Sequence, residues 1–317
     1  MYAYMSNAKA NRLVPALIAL CLSACSTMVP EEGTIELAVS TSIEAQYAIA
    51  TQEDRVGRIV VPVSLNEHGV FKLMLDTGAT HSVLTSAAAA RLGINITEAP
   101  ISMVQGVAGR VAAPIVLVDR LQAGSLKLQH LQMAVMDGAV IAELDGILGV
   151  GGLGNMIVTA DFVKDRINIR NSSGQRVNAL YAVIKFDLIS NHLIVVDGMV
   201  GRVAVRAVID TGGSQTLGNV ALLKAMSKQH DGRTASEDAG ITDVTDNSKN
   251  GTVLFVPMIR VGSAEVTNAA VICSDFEVFR SWQLDKRPAL LIGMDVLGQL
   301  GELSIDYQRQ ELRLRSR

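Results

Sequence analysis

The chain has 317 residues, enough for two ordinary domains. Apolar residues make up 49 % and aromatics only 4 %, so the core must be built from Val, Ile, Leu, Ala and Met. A net charge of −3 provides no basic face, which excludes nucleic acid as an expected partner.

At the N-terminus Lys9 and Arg12 precede a short apolar run, Leu13 to Cys21. That order reads as an export signal. A membrane-spanning helix needs about 20 apolar residues, so the run is too short for a permanent anchor. Leu22-Ser23-Ala24-Cys25 follows and resembles a bacterial lipobox. The resemblance implies a signal peptide over 1–24, acylation of Cys25 and a lipidated tether over 25–54. It thus implies an envelope lipoprotein facing the periplasm, with the bilayer as a partner through Cys25. An ordinary cleaved signal ending near a cysteine is the alternative. Ser26 stands where an Asp would suggest retention at the inner membrane, so the outer membrane is favoured. The remaining thiol, Cys273, lies in the apolar run AAVICSD and reads as a small core residue.

From residue 56 onward short apolar runs alternate with turn signals. RIVVPVSLN and VFKLMLD predict a hairpin turning at Glu67-His68-Gly69. That hairpin runs into Asp76-Thr77-Gly78. TSAAAARLG predicts a helix ended by Gly93, and VALLKAMSK holds the matching place later. A second tripeptide, Asp210-Thr211-Gly212, ends the run RVAVRAVI. Each copy is followed by a small residue and a hydroxyl: Ala79-Thr80 and Gly213-Ser214.

Further matches keep the same order. Gly124-Ser125 pairs with Gly262-Ser263, Asp137 with Asp275, Leu148-Gly149 with Ile292-Gly293, and Asp161-Phe162 with Asp306-Tyr307. The offset grows from 134 at the first Asp to 145 at the last pair. Loop insertions in the second copy produce that drift. Two copies of this length suit two similar β lobes, 55–172 and 176–317, with the boundary at 171–175.

Two carboxylates brought together can share one proton and activate a water. Thr can bond across to the partner loop, and Gly lets backbone N–H groups approach the carboxylates. These segments resemble the retropepsin-like and pepsin-like aspartic protease superfamily over residues 55–317. The resemblance implies an all-β acid-protease fold: two similar β-barrel-like lobes with the active site between them. It implies Asp76 and Asp210 as the catalytic dyad of an aspartic endopeptidase. Thr77, Gly78, Thr80, Thr211, Gly212 and Ser214 would support the loops, and Gly149 and Gly293 would pass behind them. Gln105, Gly106, Val107 and Gly109 would form the flap over a polypeptide substrate. The matching stretch ASEDAGITDVTDNSKNGT is polar and longer, and is expected to form a loop at the cleft rim instead of a second flap. With both halves in one chain, a monomer is complete, and no metal or organic cofactor is required. The rival reading is a non-catalytic peptide-binding adaptor with the same fold.

Many pepsin-like sites carry a hydroxyl directly after D-T-G, where Ala79 and Gly213 stand here. Losing a donor to the charged form raises a carboxylate pKa, so activity is expected nearer neutral pH. Gly149 to Gly154 satisfies G-x-G-x-x-G, but no βαβ context surrounds it, and it reads as a glycine-rich turn. The five histidines show no zinc-ligand spacing.

Overall fold

The computed structural model describes residues 58–164, 166–173, 177–189, 192–229 and 233–317, with two short upstream strands, Ala16–Ile18 and Gln46–Ala48. The rest of the signal segment and tether, Cys25 included, lies outside the described residues.

In the first lobe, Val60–Leu65 alternates, sending Val61, Val63 and Leu65 inward. It turns through Asn66 and Glu67, whose φ values are 48° and 63°. Two consecutive positive φ values make the tight turn that matches strand twist, and Asn tolerates them. The turn therefore sits one residue before the expected Glu67-His68-Gly69. The return strand His68–Asp76 runs parallel to Gly146–Gly149, which pairs with the two-residue strand Val83–Leu84. Val83–Leu84 continues onto Leu126–Val135, then Arg110–Ala123. A last pairing, Ser64 opposite Gln122, returns to the starting strand and closes the ring. Closure removes the free edges that an open sheet would expose.

The second lobe repeats the ring. Leu193–Val200, Val203–Ile209, Ala289–Ile292, Leu217–Asn219, Ala264–Ser274 and Ser248–Val261 follow in order, and Val200 opposite Ile259 closes it. The expected helices lie at Ser86–Arg91 and Val220–Gln229. Thr85 caps the first by accepting from Ala88 N at 3.1 Å. Gly93 follows it at φ 70°, a conformation that suits glycine. The G-x-G-x-x-G stretch is a strand end followed by a turn, as expected.

A six-stranded sheet joins the lobes. At its centre Met156–Asp161 pairs antiparallel with Glu302–Asp306. Thr159 lies opposite Ser304, their hydroxyls 2.9 Å apart. These residues are related by the repeat offset of 145, so the local twofold axis passes between them. Arg166–Asn171 and Glu311–Arg315 flank the centre, and Gln46–Ala48 and Ala182–Lys185 form the edges. The segment assigned to the tether thus ends in a structural strand. This is the all-β, two-lobed architecture expected from the repeat.

Candidate active site

Asp76 ends, and Asp210 directly follows, a central parallel strand of its lobe, and both are fully buried. Thr77 N donates to Thr211 Oγ1 at 3.1 Å, and Thr211 N donates to Thr77 Oγ1 at 3.0 Å. Each hydroxyl in turn donates across the axis, Thr77 to Ile209 O at 2.8 Å and Thr211 to Leu75 O at 2.9 Å. The two loops are therefore held by four reciprocal bonds that no single lobe contains.

Gly78 N donates to Asp76 Oδ1 at 2.8 Å, and Gly212 N to Asp210 Oδ1 at 3.0 Å. Gly213 N adds a bond to Asp210 Oδ1 at 3.2 Å. The glycines are required sterically. A Cβ on Gly78 would stand 2.7 Å from Asp210 Oδ1, and one on Gly212 would stand 2.4 Å from Asp76 Cγ. Each glycine thus faces the opposite carboxylate, which places the two acids against one another. Burial pushes Asp210 up to about 6, while its bonds to Asp76, Gly212 and Gly213 pull the other way. The upward direction matches the expectation from Ala79 and Gly213, but the leading cause is burial. Asp210 Oδ2 is buried and has no hydrogen-bond partner among the described residues.

Behind each loop runs the expected glycine strand. A Cβ on Gly149 would meet the His81 carbonyl at 2.6 Å, and one on Gly293 would meet the Gln215 carbonyl at 2.5 Å. Gly149 N donates to Ser82 Oγ and Gly293 N to Thr216 Oγ1, both at 3.1 Å. Ser82 and Thr216 were not among the predicted support residues. They share the 134 offset of the dyad, so the repeat itself carried the signal. Thr80 bonds His81 Nδ1 at 2.9 Å, and Ser214 is buried beside Gly213. Gly149→Ala or Gly293→Ala drives a methyl group into backbone. Each is expected to cost about 1–3 kcal/mol or more, read as a lowered urea midpoint.

Residues 61–151, the lobe that carries Asp76, match the family model described as aspartyl protease. The first lobe is thus similar to the aspartyl protease family. No curated protein matches it.

The segment expected as a flap is the hairpin of Ile101–Gln105 and Arg110–Ala123. Gly106 N donates to Gly109 O at 2.7 Å, and Gln105 Nε2 staples the turn through Gly106 O and Gly109 O at 2.7 and 3.0 Å. Val107 at the tip is fully buried, packed with Val208, Leu217, Ile241, Phe276, Phe279 and Trp282 of the second lobe.

The corresponding stretch of the second lobe corrects the expectation of a rim loop. Arg233–Asp243 and Ser248–Val261 form a second hairpin of the same kind. Its tip residue Val244 is buried against Met74, Ala79, Val83, Met136, Ile141 and Ile147 of the first lobe. Polar composition hid this because a hairpin needs few apolar residues once its tip alone is buried. The two hairpins therefore cross, each seated on the opposite lobe. Asp243, also missed, is fully buried between their tips.

Proposed function

We propose that this protein is an aspartic endopeptidase that hydrolyses peptide bonds through a water held by Asp76 and Asp210. The supporting observation is the pair of fully buried carboxylates held face to face by reciprocal threonine bonds. Asp210, pushed up to about 6 by burial, retains the shared proton into mild acid. It gives that proton to the scissile carbonyl oxygen as Asp76 takes one from the attacking water. Collapse of the resulting diol breaks the C–N bond as the proton held by Asp76 passes to the leaving amine and a diol hydroxyl returns its proton to Asp210. Such a pair titrates as a unit.

Substrate enters as an extended chain beneath the flaps. The recesses that receive Val107 and Val244 are aliphatic and aromatic, so apolar side chains on both sides of the cleaved bond are favoured. The lipobox-like Leu22-Ser23-Ala24-Cys25 supports a location in the cell envelope, anchored through acylated Cys25 and favouring the outer membrane. The substrate is then a polypeptide of the periplasm. One chain carries both acids, which supports a monomer.

The test is cleavage of an unbiased peptide library from about pH 3 to about pH 8, with Asp76→Asn beside the wild type. We expect cuts between apolar residues that vanish in the variant. The rate should fall as pH rises through about 6, where Asp210 gives up its proton. Maximal activity below about pH 3 would contradict the buried-dyad account. No cleavage at any pH by folded protein would favour the peptide-binding adaptor.

A further inference from the structure

The Asp243 carboxylate is shared by both flaps. Its Oδ1 accepts from Thr245 N at 2.8 Å and from the Thr245 hydroxyl, shaping its own turn. Its Oδ2 accepts from Ala108 N of the opposite flap at 2.7 Å. Gly106 leaves room for it, since a Cβ there would stand 2.2 Å from Oδ2. Turn bonds Asp243 N to Asn247 O and Asp246 N to Asp243 O, both 3.0 Å, fix the carboxylate in place.

We propose that Asp243 is a positioning residue that couples the two flaps, and that their closure goes with proton uptake on its carboxylate. One side chain binds both tips, so neither hairpin lifts without breaking bonds of the other.

The charge state follows from what surrounds it. On the facing flap Arg110 is engaged with Gln105 and with Glu277 at 3.3 Å. Glu277 belongs to the adjoining helix Glu277–Ser281. In its own turn Asp246 adds a second acid, accepting from Ala139 N at 3.3 Å. The strand Ala16–Ile18, paired beside Ile241–Asp243, carries no charge. No cation pairs with Asp243 among the described residues, and a buried unpaired carboxylate is costly. Burial accordingly raises its pKa, although the bonds from Thr245 and Ala108 oppose the rise. An open flap returns the group to water and to its ordinary value. The closed form therefore holds the proton more tightly, so acid tightens closure and rising pH loosens it. Protonation keeps the geometry. A neutral carboxyl still accepts both Thr245 bonds on Oδ1 and the Ala108 bond on Oδ2.

This rests on the flap reading of the site but not on catalysis, so the test uses amide exchange and no substrate. Exchange would be followed by mass spectrometry at the tips, 105–110 and 243–248, and in the central strands 156–161 and 302–306. Rates are corrected for the intrinsic effect of pH. In the wild type both tips should gain protection together as pH falls from neutral into acid, with the central strands unchanged. Asp210→Asn should keep this response, since the dyad is not its source. Asp243→Asn places an amide donor against Ala108 N, so both tips should lose protection and the pH response. Gly106→Ala, which displaces the tip and leaves the acid intact, should do the same if Asp243→Asn does not fold. A full pH response in Asp243→Asn, or loss confined to 243–248, would overturn the proposal. So would a response in the wild type that the central strands share.

Discussion

Asp210→Asn is expected to abolish peptide cleavage and to make the protein more stable at neutral pH. Loss of one acid removes the shared proton chemistry, and an effect of at least about 10³-fold on rate is expected. The stability gain has a separate origin. Folding buries Asp210 completely and raises its pKa from 3.8 to about 6. A group whose folded pKa is raised favours the folded state while it is protonated. That contribution is present below the unfolded value and is lost as pH climbs through the folded one. Above about 6 the wild type carries the full cost of a buried charge, on the order of 3 kcal/mol. The amide escapes it. Urea unfolding of both proteins at about pH 7.5 and at about pH 3.5 measures the difference. The variant should unfold at higher urea in the first case and near the wild type in the second. Equal midpoints at neutral pH would mean that Asp210 bears no such cost.

Thr77→Val carries the largest expected loss of stability. The change keeps the shape of the side chain and removes its hydroxyl. Two bonds go at once, from Thr211 N and to Ile209 O, and both partners remain buried. An unsatisfied buried polar group costs about 1–3 kcal/mol, so a loss of about 2–5 kcal/mol is expected. Thr211→Val should match it, since it orphans Thr77 N and Leu75 O in the same way. Thr77→Ser keeps the hydroxyl and should recover most of the difference. Because the bonds cross the axis, cleavage should fall further than the loss of folded protein explains. A Thr77→Val protein as stable as Thr77→Ser would show that the reciprocal bonds contribute little.

The site was legible in the sequence where chemistry and local geometry coincide. Asp76 and Asp210 each end an apolar run, and the glycines beside them are demanded by contacts with the opposite carboxylate. Repeat offsets marked Gly149 and Gly293, which are demanded instead by the His81 and Gln215 carbonyls. Ser82 and Thr216 escaped, although the repeat offset of 134 relates them, because a hydroxyl just before a short strand has many ordinary uses. Only the Gly149 and Gly293 N–H groups, 67 and 77 residues away, reveal theirs. The second flap escaped because its polar strands gave no burial pattern.

By itself the sequence determined the two-lobed β organisation, the pairing of Asp76 with Asp210 and the glycines that support them. Alternation and turn chemistry act over a few residues, and a repeat copies them faithfully. The tertiary structure alone decided which lobe each flap tip rests on, how Asp243 joins the tips, and that burial is the main cause of the raised Asp210 pKa. It also decided that the residues 46–48 close one edge of the sheet between lobes. Those outcomes depend on partners more than 100 residues apart, as in the bond from Ala108 to Asp243. Local pattern specifies a strand and the face it buries, whereas the identity of the surface it meets is set only when both lobes have packed.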